Sequence, residues 1–201
     1  MSTATSPDTT TQKEQRVLIS AGEGRSGGQL YRAALDAHRM LWEIDRLRMT
    51  IIVGPSLPVD EWQDLQQASQ SLSELTLRRT VSDFGAELTN VRCAVCHCDY
   101  ETAVDVIASG VAALFVPTGN GDMAEHNERA QRLTRWGISR ILPLRNLNGA
   151  SMANAIHQLI RFKPAQNDFH LDGAEASANL IHELWLETDL EQPDFNTDRE
   201  Q

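Results

Sequence analysis

Short, mainly apolar runs punctuate this chain at regular intervals. "RVLIS" (16–20), "MTIIVG" (49–54), "VRCAVCH" (91–97), "VAALFVP" (111–117) and "SRILP" (139–143) each read as a strand, and "LTLRRT" (75–80) alternates as a strand does. Between them, apolar residues recur three or four apart. Leu30, Ala33, Ala34, Ala37, Leu41 and Ile44 predict a helix over 28–46. After the turn "GPSLP" (54–58), Asp60 is expected to cap a helix whose apolar side is Leu65, Ala68 and Leu72. "SDFGAELTN" (82–90) has room for little more than a helical turn. "TAVDVIASG" (102–110) predicts a helix stopped by Gly110, and a further helix runs to about Trp136 and stops at Gly137. "GASMANAIHQLIRF" (149–162) puts Met152, Ile156, Leu159 and Ile160 on one side, and "DGAEASANLIHELWLE" (172–187) makes a last helix.

Strands that are apolar on both faces belong to a parallel sheet covered by helices above and below. The expectation is therefore an α/β, Rossmann-like, doubly wound parallel sheet. Residues 16–162 form the domain, preceded by a polar, flexible lead (1–15) and followed by a helical extension (163–188) and an acidic tail (189–201). Such sheets bind ligands beyond the carboxyl ends of their strands. The loops 21–28, 54–58, 96–102 and 117–125 are thus the expected functional rim.

Composition narrows the class. The 201 residues suit one domain, and 41% apolar with only 5% aromatic residues means an aliphatic core. A net charge of −10 argues against a nucleic-acid groove, which needs clustered cations, and against an anionic membrane surface. No apolar run approaches a membrane span, the polar start "MSTATSPDTTTQKEQ" has no hydrophobic signal, and three cysteines do not make a disulfide framework. Together these predict a cytoplasmic setting.

Three segments carry candidate chemistry. "SAGEGRSGG" (20–28) follows a strand and opens a helix. Gly22, Gly24 and Gly27 match a G-x-G-x-x-G spacing, and Arg25, Ser26 and the helix N-terminus offer donors and charge to a phosphate. The same spacing also suits a plain tight strand-to-helix turn, and no Gly-Lys-Ser/Thr of a P-loop follows. "VRCAVCHCDYET" (91–102) holds all three cysteines, with His97 among them. Cys93-x-x-Cys96-His97 has haem-attachment spacing, and Cys93, Cys96, His97 and Cys98 resemble a zinc set. Adjacent residues on a strand point to opposite faces, however, so small buried core thiols are the better reading, with no metal. Thr102 and Asp105, three apart at a helix entrance, suit either capping with a first-turn acid or ribose binding by a carboxylate. Asp122, Glu125, His126, Asn127 and Arg129 suit either a solvated helix entrance or hydrogen bonding to a polyhydroxylated ligand.

The order "VLISAGEGRSGGQLYRAALDA", "IIVGPSLP", "CHCDYETAVDVIASGVAALFVP", "DMAEHNERAQRL" resembles the C-terminal half of a MurG-like, family 28 glycosyltransferase, over about residues 16–162. The resemblance implies the donor-binding domain of a two-domain GT-B enzyme, holding a nucleoside-diphosphate sugar, commonly a UDP-sugar, for hexosyl transfer. It implies Gly22–Gly28 facing the diphosphate, Thr102 near a phosphate, Asp105 on the ribose, and Glu125 and His126 on the sugar. It implies metal-independent chemistry with no cofactor beyond the donor, and no catalytic residue is assigned. The acceptor-binding half of the family has no counterpart in these residues, so the expected partner is a separate, membrane-associated acceptor-domain chain. The chain departs from the family at Glu23, Asp99 and Glu101, acids where a diphosphate would approach and where the family favours glycine or an amide. Those acids carry the alternative expectation of a catalytically eroded relative kept as an interaction or regulatory protein.

Overall fold

A computed structural model describes residues 14–118, 124–169, 171 and 173–190. The expectations for residues 1–13, for Asp122 and its loop, and for the tail beyond Leu190 concern residues outside those described. Two compact units make up the chain, Met1–Asn167 and Asp168–Gln201.

The first unit is built on six parallel strands: β1 (Glu14–Ser20), β2 (Arg48–Ile52), β3 (Leu75–Arg78), β4 (Val91–Cys96), β5 (Ala112–Phe115) and β6 (Ser139–Ile141). Their order in the sheet is β3-β2-β1-β4-β5-β6. The chain begins at the centre, winds outward to β3, crosses back beside β1 and winds outward to β6. This is the doubly wound order that the strand–helix alternation predicted. The helices between are α1 (Gly28–Asp45), α2 (Val59–Ser69), α3 (Phe84–Thr89), α4 (Tyr100–Ser109), α5 (Ala124–Arg135) and α6 (Gly149–Leu159).

Two apolar layers explain the uninterrupted strands. Val17, Ile19, Met49, Ile51, Cys93 and Val95 face one way and pack with Leu30 and Leu41 of α1, Leu65 of α2, and Met152 and Ile156 of α6. Leu18, Ile52, Ala94, Cys96 and Phe115 face the other way and pack with Leu88 of α3, Val106 of α4 and Leu133 of α5. Burying each such Leu, Ile or Phe stabilises the fold by roughly 2 kcal/mol.

Local chemistry moves several helix boundaries. Pro58, not Asp60, precedes the first residue of α2; its extended backbone and locked φ end the turn, so Asp60 sits inside the first turn, where its charge favours the helix dipole without capping it. Asp83 accepts from the Ala86 N–H and lets residues 84–89 form a helix anchored by buried Leu88, longer than the single turn expected. Helix α4 starts two residues before Thr102 because Asp99 caps it. Gly110, at φ 59°, ends α4 as predicted, its N–H bonding back to Val106 and Ile107.

In the second unit, α7 (Gly173–Leu190) carries exposed Leu180, Ile181, Leu184, Trp185 and Leu186, and His182 stacks on Trp185 with ring centroids 6.4 Å apart.

Candidate functional site

Strands β1, β2 and β4 end at one level, since Ser20 pairs in register with Ile52 on one side and with Cys96 on the other. Their exit loops therefore leave the sheet together, at the point where the winding reverses. A cavity of about 330 Å³ opens there, large enough for a small ligand. Its apolar wall includes Ile52, Pro55, Val81 and Phe84, and its polar wall includes Glu23, Asp99, Glu101, Thr102 and Asp105.

The loop after β1 is packed tightly against the loop after β2. Gly24 has φ 90°, and a side chain there would collide with the Val53 carbonyl. Gly54 is buttressed in return by the backbone of Gly22 and Glu23. The Ser56 N–H donates to the Glu23 carbonyl at 2.9 Å, and the buried Tyr31 hydroxyl donates to the Val53 carbonyl at 2.8 Å. Burial raises the Tyr31 pKa well above the usual phenol range, so this donor keeps its proton. The Tyr31 ring also fills the space a side chain on Gly27 would need. The G-x-G-x-x-G spacing thus serves loop–loop and loop–helix packing. Arg25 and Ser26 stand exposed on the crest of the loop.

The loop after β4 is organised by Asp99. One carboxylate oxygen accepts the Thr102 N–H at 2.8 Å, and the other accepts the Thr102 hydroxyl at 3.0 Å. Thr102 is buried, and both its donors are directed at Asp99. The Arg129 guanidinium donates to the Cys98 carbonyl at 2.7 Å and to Glu125 at 2.5 Å, and lies 5.9 Å from the Tyr100 ring centre. That bond to Arg129 pulls the Glu125 pKa down.

Electrostatically the cavity is acidic. Among the described residues, Glu23, Asp99, Glu101 and Asp105 face a single lining cation, Arg79. Arg79 is itself held by the Leu57 carbonyl at 3.0 Å and lies over the Trp62 ring. Burial, then the neighbouring Asp83, Glu101 and Asp99, raise the Asp105 pKa. Beside this wall, His97 is buried with Nε2 unpartnered; burial and His126 lower its pKa to about 4, against an opposing pull from Asp99. Thr118 Oγ1 and His126 Nδ1 are also buried without partners.

Of the residues expected to bind a ligand, Gly22, Thr102 and Asp105 line this cavity. Gly24, Arg25, Ser26, Gly27, Glu125 and His126 belong to the same rim but are not among its lining residues. Arg79, Thr80, Val81 and Phe84 also line it. Sequence reasoning missed this β3 exit, although "LTLRRT" had been read as a strand; a parallel neighbour of β2 must release its loop at the same edge. The cysteines are divided between the two apolar layers, Cys93 in one and Cys96 and Cys98 in the other. All three are buried, and burial holds their thiols protonated, Cys93 and Cys98 at about 12. Among the described residues, no cluster of three or more His, Cys, Asp or Glu could hold a metal, and no helix is long and apolar enough to cross a membrane.

No protein-family model matches the chain, and no curated protein matches its sequence. Solved structures do match in shape. MurG of Acinetobacter baumannii superposes with a TM-score of 0.67 at 18% identity, over 86% of this chain and 50% of its own. MnaA of S. aureus, solved with UDP, gives 0.65 at 12% identity, over 89% and 47%. The UDP-GlcNAc 2-epimerase of Methanocaldococcus jannaschii, solved with UDP-GlcNAc and UDP, gives 0.62 at 8% identity, over 84% and 45%. The chain spans about half the length of each of these proteins. In fold, it is one Rossmann-like domain of the kind found in MurG and other GT-B glycosyltransferases.

Proposed function

We propose that this chain is a donor-binding domain of GT-B type, which receives a nucleoside-diphosphate sugar, a UDP-sugar in the first instance, and serves hexosyl transfer together with a separate acceptor-domain chain. The observation that carries this reading is the cavity at the reversal of winding. Its apolar wall of Ile52, Pro55, Val81 and Phe84 suits the faces of a base, and Asp105 stands where a carboxylate can accept from ribose hydroxyls. The structural neighbours solved with UDP and UDP-GlcNAc support the ligand class. No cofactor beyond the donor enters this reading.

Calorimetric titration of the protein with UDP, UDP-GlcNAc, dTDP and GDP, repeated with Asp105→Ala, tests it. The expected result is binding of at least one nucleotide and a loss of about ten-fold or more in affinity on removing the carboxylate that pairs with the diol. Absence of binding for every nucleotide would refute the donor reading.

A second reading, a catalytically eroded relative with an interaction or regulatory role, has one specific observation in its favour. Asp99 is bonded through both oxygens to Thr102, at a helix entrance where a phosphate would otherwise find donors.

A further inference from the structure

Helices α1 and α4 open onto the rim of the cavity, and each has one of the chain's own carboxylates at its entrance. At α4 the Asp99 carboxylate takes the Thr102 N–H and hydroxyl, at 2.8 and 3.0 Å. It also leans across the loop after β1: a Cβ built on Gly22 would lie 2.7 Å from Asp99 Oδ2. At α1 the entrance has no side-chain cap and no acid in its own first turn. There Glu61, from the first turn of α2, lies so close to Gly28 that a Cβ on that glycine would collide with Glu61 Oε2. The space released by Gly22 is therefore taken by the Asp99 carboxylate, and that released by Gly28 by the Glu61 carboxylate with the Arg32 guanidinium beside it.

A helix N-terminus receives one anion well, because its partial positive charge and free N–H groups are finite. A second anion a few ångströms from the first is repelled strongly in a partly buried site. We infer that Asp99 and Glu61 are built-in substitutes for the two phosphates, so that this site recognises its ligand through the nucleoside and gains nothing from the diphosphate. The inference rests on the donor reading only in placing a nucleoside in the cavity. Asp105, Glu101 and Glu23 on the cavity wall act in the same direction as Asp99, since each adds negative charge where the leaving diphosphate would develop its own. Arg79 on the cavity wall, and Arg25 and Arg32, both exposed, are the cations that stand against it.

Calorimetry with uridine, UMP and UDP on the wild type, Asp99→Asn, Glu61→Gln and the double variant tests this. Asparagine still caps a helix, so Asp99→Asn removes the charge while keeping the fold; a matching thermal melt confirms that for each variant. The expected result is that the wild type binds uridine as tightly as UDP. In the double variant UDP affinity should rise by about ten-fold or more while uridine stays within about two-fold. A wild type that binds UDP far more tightly than uridine, with UDP affinity unmoved in the double variant and abolished by Arg25→Ala, would overturn the inference and leave the donor reading standing. Failure of every variant to bind uridine, UMP or UDP would overturn both.

Discussion

Two hollows on one face of the sheet carry different chemistry. Alongside α3, Arg16, Arg48 and Arg78 line a groove of about 570 Å³ together with Glu74, Asp83 and Glu87. At the strand exits the cavity is smaller, about 330 Å³, and its lining is dominated by carboxylates. One strand connects them: Arg48 and Thr50 of β2 line the groove, and Ile52, on the same face, lines the cavity. The larger, more cationic cavity is nevertheless the poorer candidate for a phosphate. Its arginines are matched from within, since Glu87 pairs with Arg78 at 2.5 Å and with Arg16 at 3.4 Å. The topology puts helix N-termini and glycine loops at the strand exits, where this chain has placed its own acids. Size and arginine content thus nominate the groove, and topology the cavity at the strand exits.

The largest expected effect concerns how the exit edge holds its shape. Gly24→Ala forces a side chain against the Val53 carbonyl at φ 90°, and should cost about 3–5 kcal/mol of stability, read as a lowered urea midpoint. An unchanged midpoint would mean that the interlock between the first two loops does not set the rim.

A smaller effect concerns the exclusion of positive charge from that edge. Buried His97 has a pKa of about 4 in the folded protein against 6.5 when unfolded. The unfolded chain therefore takes up a proton that the folded chain does not, in the window between those values. The contribution of neutral His97 is complete above pH 6.5 and is lost as the pH falls towards 4, by about 2–3 kcal/mol. His97→Leu should flatten that part of the stability–pH curve relative to wild type. Parallel curves for the two proteins would show that His97 takes up its proton equally in the folded and unfolded chain, and that the exit edge is less hostile to cations than described.

The smallest effect belongs to the groove beside α3. Glu87→Gln removes the carboxylate shared by Arg16 and Arg78, and should cost about 1–2 kcal/mol, since the three side chains are only partly exposed. The same variant should gain sulfate-dependent thermal stability that the wild type lacks. Sulfate stabilising both proteins equally would erase the difference between the groove and the cavity.

Most of the fold was legible because the central strands are apolar on both faces and the helices covering them on one, a pattern with few packing solutions. The errors came where a single side chain decides. Asp83 and Asp99 begin their helices by capping, and Pro58 displaces Asp60 from that role, choices that periodicity does not contain. The candidate site was half legible. Gly22, Thr102 and Asp105 were placed on the cavity, whereas the contribution from the β3 exit, with Val81 and Phe84, depends on which strands are neighbours.

By itself, the sequence determined a parallel, doubly wound sheet, which loops leave its exit edge, and an excess of acids in those loops, because periodicity and loop position follow from local chemistry. Only the tertiary structure decided what those residues do there. The glycines of the first loop release space that Val53, Tyr31, Asp99 and Glu61 fill, and Asp99 turns from a stray acid near the site into the occupant of a helix entrance. Those relations join residues tens of positions apart, and spacing along the chain carries no information about which of them meet.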